Sequence, residues 1–187
     1  MRHIGLPIRP VVNTEIPYVT VVYDIQDISQ PTRLFTSPNI SALFFYMDID
    51  GVACDTVEYQ HQFDSEGEHV VKLLLKDPTT FGATTSEPLF NMLDYVTNVD
   101  LPEGITTIKQ NAFLSMMNLS NIVIPNSVTT IGVAAFNHTF DPAIVKLKSI
   151  TIPENVVSIG NGAFSSSLTE CIMRPTVPPQ IESGTFS

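Results

Sequence analysis

The stretch Leu101-Pro102-Glu103-Gly104-Ile105-Thr106-Thr107-Ile108-Lys109-Gln110-Asn111-Ala112-Phe113 returns without a gap as Ile124-Pro125-Asn126-Ser127-Val128-Thr129-Thr130-Ile131-Gly132-Val133-Ala134-Ala135-Phe136. It returns again as Ile152-Pro153-Glu154-Asn155-Val156-Val157-Ser158-Ile159-Gly160-Asn161-Gly162-Ala163-Phe164. A fourth, looser copy carries Pro175, Ile181 and Phe186, so that an Ile follows each proline by 6 residues and a Phe follows it by 11. Successive phenylalanines from Phe113 lie 23, 28 and 22 residues apart while the Pro to Phe distance stays fixed, so length variation falls on one side of the unit only. Such self-similarity has to be read before any local structure.

A unit of this length is too small to close a core, so its apolar positions must stack on those of its neighbours. The ladders are Ile108/Ile131/Ile159/Ile181 and Phe113/Phe136/Phe164/Phe186, with Phe90 continuing the second backwards. The segments Leu119 to Ile124, Leu147 to Ile152 and Leu168 to Met173 are predicted β rungs, each stopped by a proline that lacks a backbone donor. Gly132, Gly160 and Gly162 are expected at turns with unusual backbone angles. Thr79-Thr80-Phe81-Gly82 echoes Thr129-Thr130-Ile131-Gly132, which places a degenerate first rung over residues 78–101, followed by units starting near 102, 125, 153 and 175.

At these residues the chain resembles the BspA-like leucine-rich repeats, whose motif runs approximately Ile-Pro, two variable residues, Val, two variable residues, Ile-Gly, two variable residues, Ala-Phe. The likeness covers about half the chain. It departs where Lys109 and Glu182 replace Gly and where Thr185 precedes Phe186, departures that suit end rungs. The resemblance implies a bacterial surface protein, adhesive towards host proteins or other cells, with no catalytic site attached to the repeat.

The first part of the chain has a different rhythm. Residues 1–15 alternate prolines with apolar residues and read as an arm or linker; residues 16–77 turn to period two. Val19, Val21, Tyr23 and Ile25 share a face, as do Leu43, Phe45, Met47 and Ile49, Val57, Tyr59, His61 and Phe63, and Val71, Leu73 and Leu75. Thr32 to Phe35 adds a short strand, and turn chemistry sits at Ser37-Pro38-Asn39, Asp50-Gly51 and Asp64-Ser65-Glu66-Gly67. Gly67-Glu68-His69-Val70-Val71-Lys72 resembles the closing strand of small immunoglobulin-like modules. The expected fold is therefore mainly β: a small immunoglobulin-like β-sandwich over residues 16–77, then a short leucine-rich-repeat solenoid over residues 78–187.

Charge narrows the partners. The net charge of -10 divides into -7 over residues 1–87 and -3 over residues 88–187, with no Lys/Arg cluster, which disfavours nucleic acid and anionic membranes. The longest apolar run, Ala42 to Met47, is far short of the roughly 20 residues that cross a bilayer. The first residues, Met1 to Pro7, do not read as a signal peptide, so a surface location implies a leader already removed. Cys171 takes the inward rung position of Ile122 and Ile150 and is expected to pack as a core thiol rather than to bridge to Cys54.

Asp48, Asp50 and Asp55 beside Gly51 invite a calcium reading, but an EF-hand loop would then start at Tyr46 and end at Val57, so a structural turn is the stronger expectation. The scattered histidines give no metal site, and no cofactor is implied. No nucleophile elbow, phosphate loop or HExxH occurs, and Glu103 and Glu154 follow prolines as turn carboxylates, so the chain is expected not to be an enzyme.

What remains is a binding module that recognises a host or matrix protein or glycan, acting as a monomer; the alternative is a structural spacer with no ligand of its own, and the remote alternative a hydrolase. The exposed rung positions Asn98, Asp100, Asn121, Val123, Ser149, Thr151 and Glu170 form one candidate face. The other is the longer unit's extra segment, Asn137 to Lys148, with Phe140, Ile144, Lys146 and Lys148. The prolines 175, 178 and 179 are expected to end the solenoid near residue 187 and to blunt its last edge.

Overall fold

The computed structural model describes residues 17–82, 89–90, 93–138, 143–164 and 166–186. Two strand series run along the repeats. The longer series is β8 (Val96–Asp100), β10 (Asn121–Val123), β12 (Ser149–Ile152) and β14 (Glu170–Met173). The shorter series forms a five-stranded parallel ladder in the order β15-β13-β11-β9-β7, from Gln180–Ile181 through Ser158–Ile159, Thr130–Ile131 and Thr107–Ile108 to Thr80–Phe81. Thr80 pairs with Thr107 and Phe81 with Ile108, so the degenerate first rung lies in the register that its echo of Thr130-Ile131 implies.

The isoleucine ladder is fully buried at Ile108, Ile131 and Ile159. Beside it the phenylalanine rings stack, with centroids 5.0 Å apart from Phe113 to Phe136, 5.6 Å from Phe136 to Phe164 and 5.3 Å from Phe164 to Phe186. The column does not stop at the repeats. Phe113 stacks on Phe81 at 5.2 Å, Phe90 lies 6.2 Å from Phe113 and 6.4 Å from Phe35, and Phe35 stacks on Phe44 at 5.3 Å.

Hydroxyls and carboxylates tie each rung to the one before. Thr106 Oγ1 donates to the Thr79 carbonyl and Thr129 Oγ1 to the Thr106 carbonyl, both at 3.1 Å. Glu103 accepts the backbone N–H groups of Asn126 and Ser127, each at 3.0 Å, so this carboxylate caps the next turn. Glu182, standing where inner rungs have Gly, reaches back to the Asn161 N–H at 2.9 Å.

The glycines divide into two kinds, which corrects the sequence reading. Gly132 and Gly160 do not have positive φ; they are required by close approach, because a Cβ would lie 2.5 Å from Gln110 N and 2.6 Å from Val133 N. The left-handed position is two residues before each ladder phenylalanine: Asn111 (φ 58), Ala134 (φ 51), Gly162 (φ 56) and Gly184 (φ 70). Ala134 is therefore the one described repeat position where a Cβ without a hydrogen-bonding group sits in a left-handed turn, at about 1–2 kcal/mol of strain.

In the N-terminal part, β1 (Val19–Ile25) buries alternate residues as its period predicts. It pairs antiparallel with β6 (Gly67–Leu75), which pairs with β3 (Phe44–Ile49), which pairs with β4 (Val52–Ala53). The other edge of β1 pairs with β8 of the repeats, giving one sheet in the order β10-β8-β1-β6-β3-β4 that passes residue 77 without a break. A two-stranded ribbon of β2 (Thr32–Arg33) and β5 (Gln60–His61) is tied to β1 by the buried Tyr23 hydroxyl, which donates to the Leu34 carbonyl at 2.6 Å. The expected strand over Val57 to Phe63 reduces to Gln60–His61. In β3 a bulge between Phe44 and Tyr46 turns Phe44 inward and leaves Phe45 68% exposed under Lys76, reversing the face expected for Phe45.

The Asp48-Ile49-Asp50-Gly51 segment forms a tight turn. Asp48 Oδ1 accepts the Gly51 N–H at 3.1 Å, while Asp50 accepts the Val70 N–H at 2.7 Å and holds buried His69 Nδ1 at 2.6 Å. Burial lowers the His69 pKa, but the Asp50 carboxylate and the Ser65 carbonyl outweigh it and leave the imidazole above its ordinary 6.5. Burial raises Asp50, and its bonds from His69 and Val70 outweigh that and hold it below 3.8.

Three outcomes are expected. Phe136→Ala opens a cavity between rungs and costs about 3–5 kcal/mol in chemical denaturation; a change under about 1 kcal/mol would contradict the ring column. Ala134→Gly raises stability by about 0.5–1 kcal/mol and Gly132→Ala lowers it by about 2–3 kcal/mol, opposite signs only two residues apart. The Asp50–His69 pair stabilises most between pH 3.8 and 6.5. The His69 share is lost as pH rises through its raised value and the Asp50 share as pH falls through its lowered one. Denaturation midpoints are thus expected to fall as pH rises above 6.5 and through the raised His69 value, and Asp50→Asn to remove that slope.

Candidate functional site

The rung positions named from the sequence lie on the longer strand series. On β8 and β10 they are joined by side-chain bonds: Asn121 Nδ2 donates to Asn98 Oδ1 at 2.5 Å, and Asn98 Nδ2 to Asp100 Oδ1 at 3.2 Å. Val123, 54% exposed, stands alongside. Ser149 and Thr151 lie on β12, where Ser149 pairs with Glu170 and Thr151 with Ile172 of β14. Cys171 pairs with Ile150 as its rung position predicts and is half-buried.

The extra segment presents two of its expected groups to solvent. Val145 and Leu147 point inward and are buried, so Ile144 and Lys146 face out, with Ile144 54% exposed. The Lys146 N–H donates to the Met117 carbonyl at 2.9 Å, which anchors the segment to the rung before it. The Lys148 carbonyl accepts the N–H groups of Thr169 and Glu170 at 2.7 and 3.1 Å, so its backbone belongs to the ladder. Phe140 lies outside the described residues.

The two groups of rung positions are separated by a cleft. Strand β10 ends the six-stranded sheet and β12 begins a two-stranded sheet with β14; the two strands do not pair. The opening has a volume of about 430 Å³ and is lined by Asn121, Val123, Ser149, Thr151, Glu103 and Arg174 among others. Arg174 and Glu103 were not expected there. The signal in the sequence was the 28-residue spacing from Phe136 to Phe164, the unit in which the strand side of the stack opens.

A second cleft, of about 290 Å³, is lined by Asp50, Cys54, His61 and Asp64. Burial pushes the Cys54 thiol up, and the carboxylates of Glu58, Asp48 and Asp55 add to the effect. A nucleophile or metal thiolate needs the opposite shift. Asp48 and Asp50 are committed to their turn, and among the described residues no group of three metal-ligating side chains is assembled. No described helix is long and apolar enough to cross a membrane.

Comparison with known proteins bears on the repeats. A leucine-rich repeat protein from Bacteroides ovatus, known from its crystal structure, is similar over 54% of this chain at 24% identity, with a TM-score of 0.26. The chain spans only 36% of that protein's length. Among curated proteins none matches. Residues 84–187 match the BspA type leucine rich repeat region in 6 copies, which embraces the Ile ladder, the Phe ladder from Phe90 onward, the close-approach glycines and both strand series apart from β7. The chain therefore belongs to the BspA-type leucine-rich repeat family.

Proposed function

We propose that the chain is a non-catalytic, extracellular binding module of a bacterial surface protein, which recognises a protein or glycan polymer through its solenoid. The family and its fold are typically non-catalytic, and the family is typically one of bacterial surface proteins. One observation carries the reading for this chain: the longer strand series presents a ruled face several rungs long, beside a segment that holds Ile144 and Lys146 out to solvent. A surface of that shape suits an extended polymer better than a small molecule. The N-terminal sheet is read as an immunoglobulin-like module that orients the solenoid, and the chain as a monomer.

A spacer role is the second reading, favoured by the Asn98-Asp100-Asn121 bonds, which satisfy these polar groups among themselves. One experiment separates the two. The chain is presented to immobilised host matrix proteins and glycan polymers, together with an Ile144→Ala/Lys146→Ala variant and an Asn98→Ala/Asn121→Ala variant. The binding reading expects saturable binding to at least one of them, weakened about tenfold by one variant, equivalent to about 1.4 kcal/mol. No saturable binding to any of them favours the spacer.

A further inference from the structure

We infer that the cleft between β10 and β12 is a slot for one extended polypeptide segment, bound as an inserted β-strand. This rests on the reading of the solenoid as a binding module and names the ligand class of one site on it.

The two strands occupy equivalent places in successive units, since Ile122 and Ile124 precede Pro125 by the same intervals as Ile150 and Ile152 precede Pro153. In an uninterrupted stack they would pair. Instead nearly all Cα pairs between them exceed 8 Å. Bonded strands lie about 4.8 Å apart, so a gap that admits one further strand is about 9.6 Å wide. The stack is closed again around the opening: Lys146 N–H reaches the Met117 carbonyl at 2.9 Å, Asn155 Nδ2 the Asn126 carbonyl at 2.8 Å, and Val157 N–H the Thr129 carbonyl at 2.8 Å.

The backbone direction is readable from the neighbouring bonds. Asp24 N–H reaches the Tyr95 carbonyl, so Val22 and Thr20 turn to Asn98 and Asp100 of β8 and leave Val99 to face β10, while the carbonyls of Lys148 and Ile152 point to Thr169, Glu170 and Arg174 of the β14 side. In a parallel strand, alternate residues turn their N–H and C=O groups to opposite edges. Val99, opposite Ile122, takes its partners from Asn121 and Val123, so Ile122 and Ile124 aim theirs into the cleft from one side, and Ser149 and Thr151 from the other. Among the described residues no backbone partner meets them there.

Two facing rows of peptide donors and acceptors, repeating every second residue, match the backbone of a polypeptide strand on both of its edges. Side chains define the sequence class. Residues of the guest that point inward fall between Ile122 and Ile150 and between Ile124 and Ile152, which are buried, and so must be aliphatic. Those that point outward fall between Val123 and Thr151 and suit β-branched residues. Proline is excluded at every position that faces a slot carbonyl, because it has no N–H to donate.

The test uses the whole chain and a displayed library of random heptapeptides. Selection on the wild type is expected to enrich proline-free sequences with aliphatic residues at every second position. Enrichment should fall at least tenfold on Thr151→Pro, which removes a slot donor and leaves the ladder from β12 to β14 intact. Because that variant can fail to fold, a second arm measures a selected peptide against its backbone N-methylated form on the wild type, with a loss of at least tenfold expected. Amide exchange supplies a control that needs no ligand: Ile122 and Thr151 should exchange fast in the free chain and become protected with peptide. Protected amides in the free chain, enrichment without alternation, no enrichment, or indifference to N-methylation would each overturn the slot. Since those outcomes do not depend on matrix proteins or glycans, failure of the slot and failure of the broader binding reading are told apart.

Discussion

The column of phenylalanine rings from Phe186 to Phe44 is the contact on which the rest of the architecture depends. Each ring contributes roughly 150–250 Å² of apolar surface, and ring pairs in offset stacks add about 0.5–1.5 kcal/mol beyond burial. A single repeat cannot recover the entropy of ordering its chain, because it has no opposite face to bury against. The column removes that obstacle by making each rung the floor of the next. Its first members, Phe81 and Phe90, also touch the N-terminal core through Phe35, so the two rhythms of the sequence share one interior.

That constraint explains which positions are strict and which are loose. Where backbone meets backbone, at Gly132 and Gly160, no side chain fits. Where the chain must only turn left-handed, Asn, Ala and Gly all occur, because the requirement is conformational and costs little enough to be overridden. Length, by contrast, is free on the side of the longer strands. The unit that ends at Phe164 takes its extra residues there, and the ring spacing widens only to 5.6 Å while the strands above it part. The opening between β10 and β12 is thus a consequence of holding the column fixed while one rung is lengthened.

The N-terminal part shows how a sound period can mislead. The alternation of β1 is read correctly because both of its edges are paired and every residue keeps its turn. In β3 the same rule fails at Phe45, because a bulge adds a residue and inverts the faces beyond it, and no residue type announces a bulge in advance. The run from Val57 to Phe63 alternates too, yet only Gln60 and His61 find a partner strand. Alternation records a half-buried environment; it does not record which backbone supplies the hydrogen bonds.

The sequence by itself determined the repeat unit, its register, both apolar ladders, the β rungs and the degenerate first rung at Thr79 to Gly82, since each depends on residues spaced at fixed intervals along one chain. It also named the rung positions and the solvent-facing Ile144 and Lys146. Only the tertiary structure decided that β1 pairs with β8 across residue 77, that Glu103 caps the following turn and that β10 and β12 stand apart. These depend on how separate segments approach in space, and a spacing of 28 residues places the extra length before the rung without stating that the neighbouring strands part. The physical reason is that periodicity encodes what a side chain must avoid, namely water, whereas pairing and its interruption are settled by backbone groups that every residue carries alike.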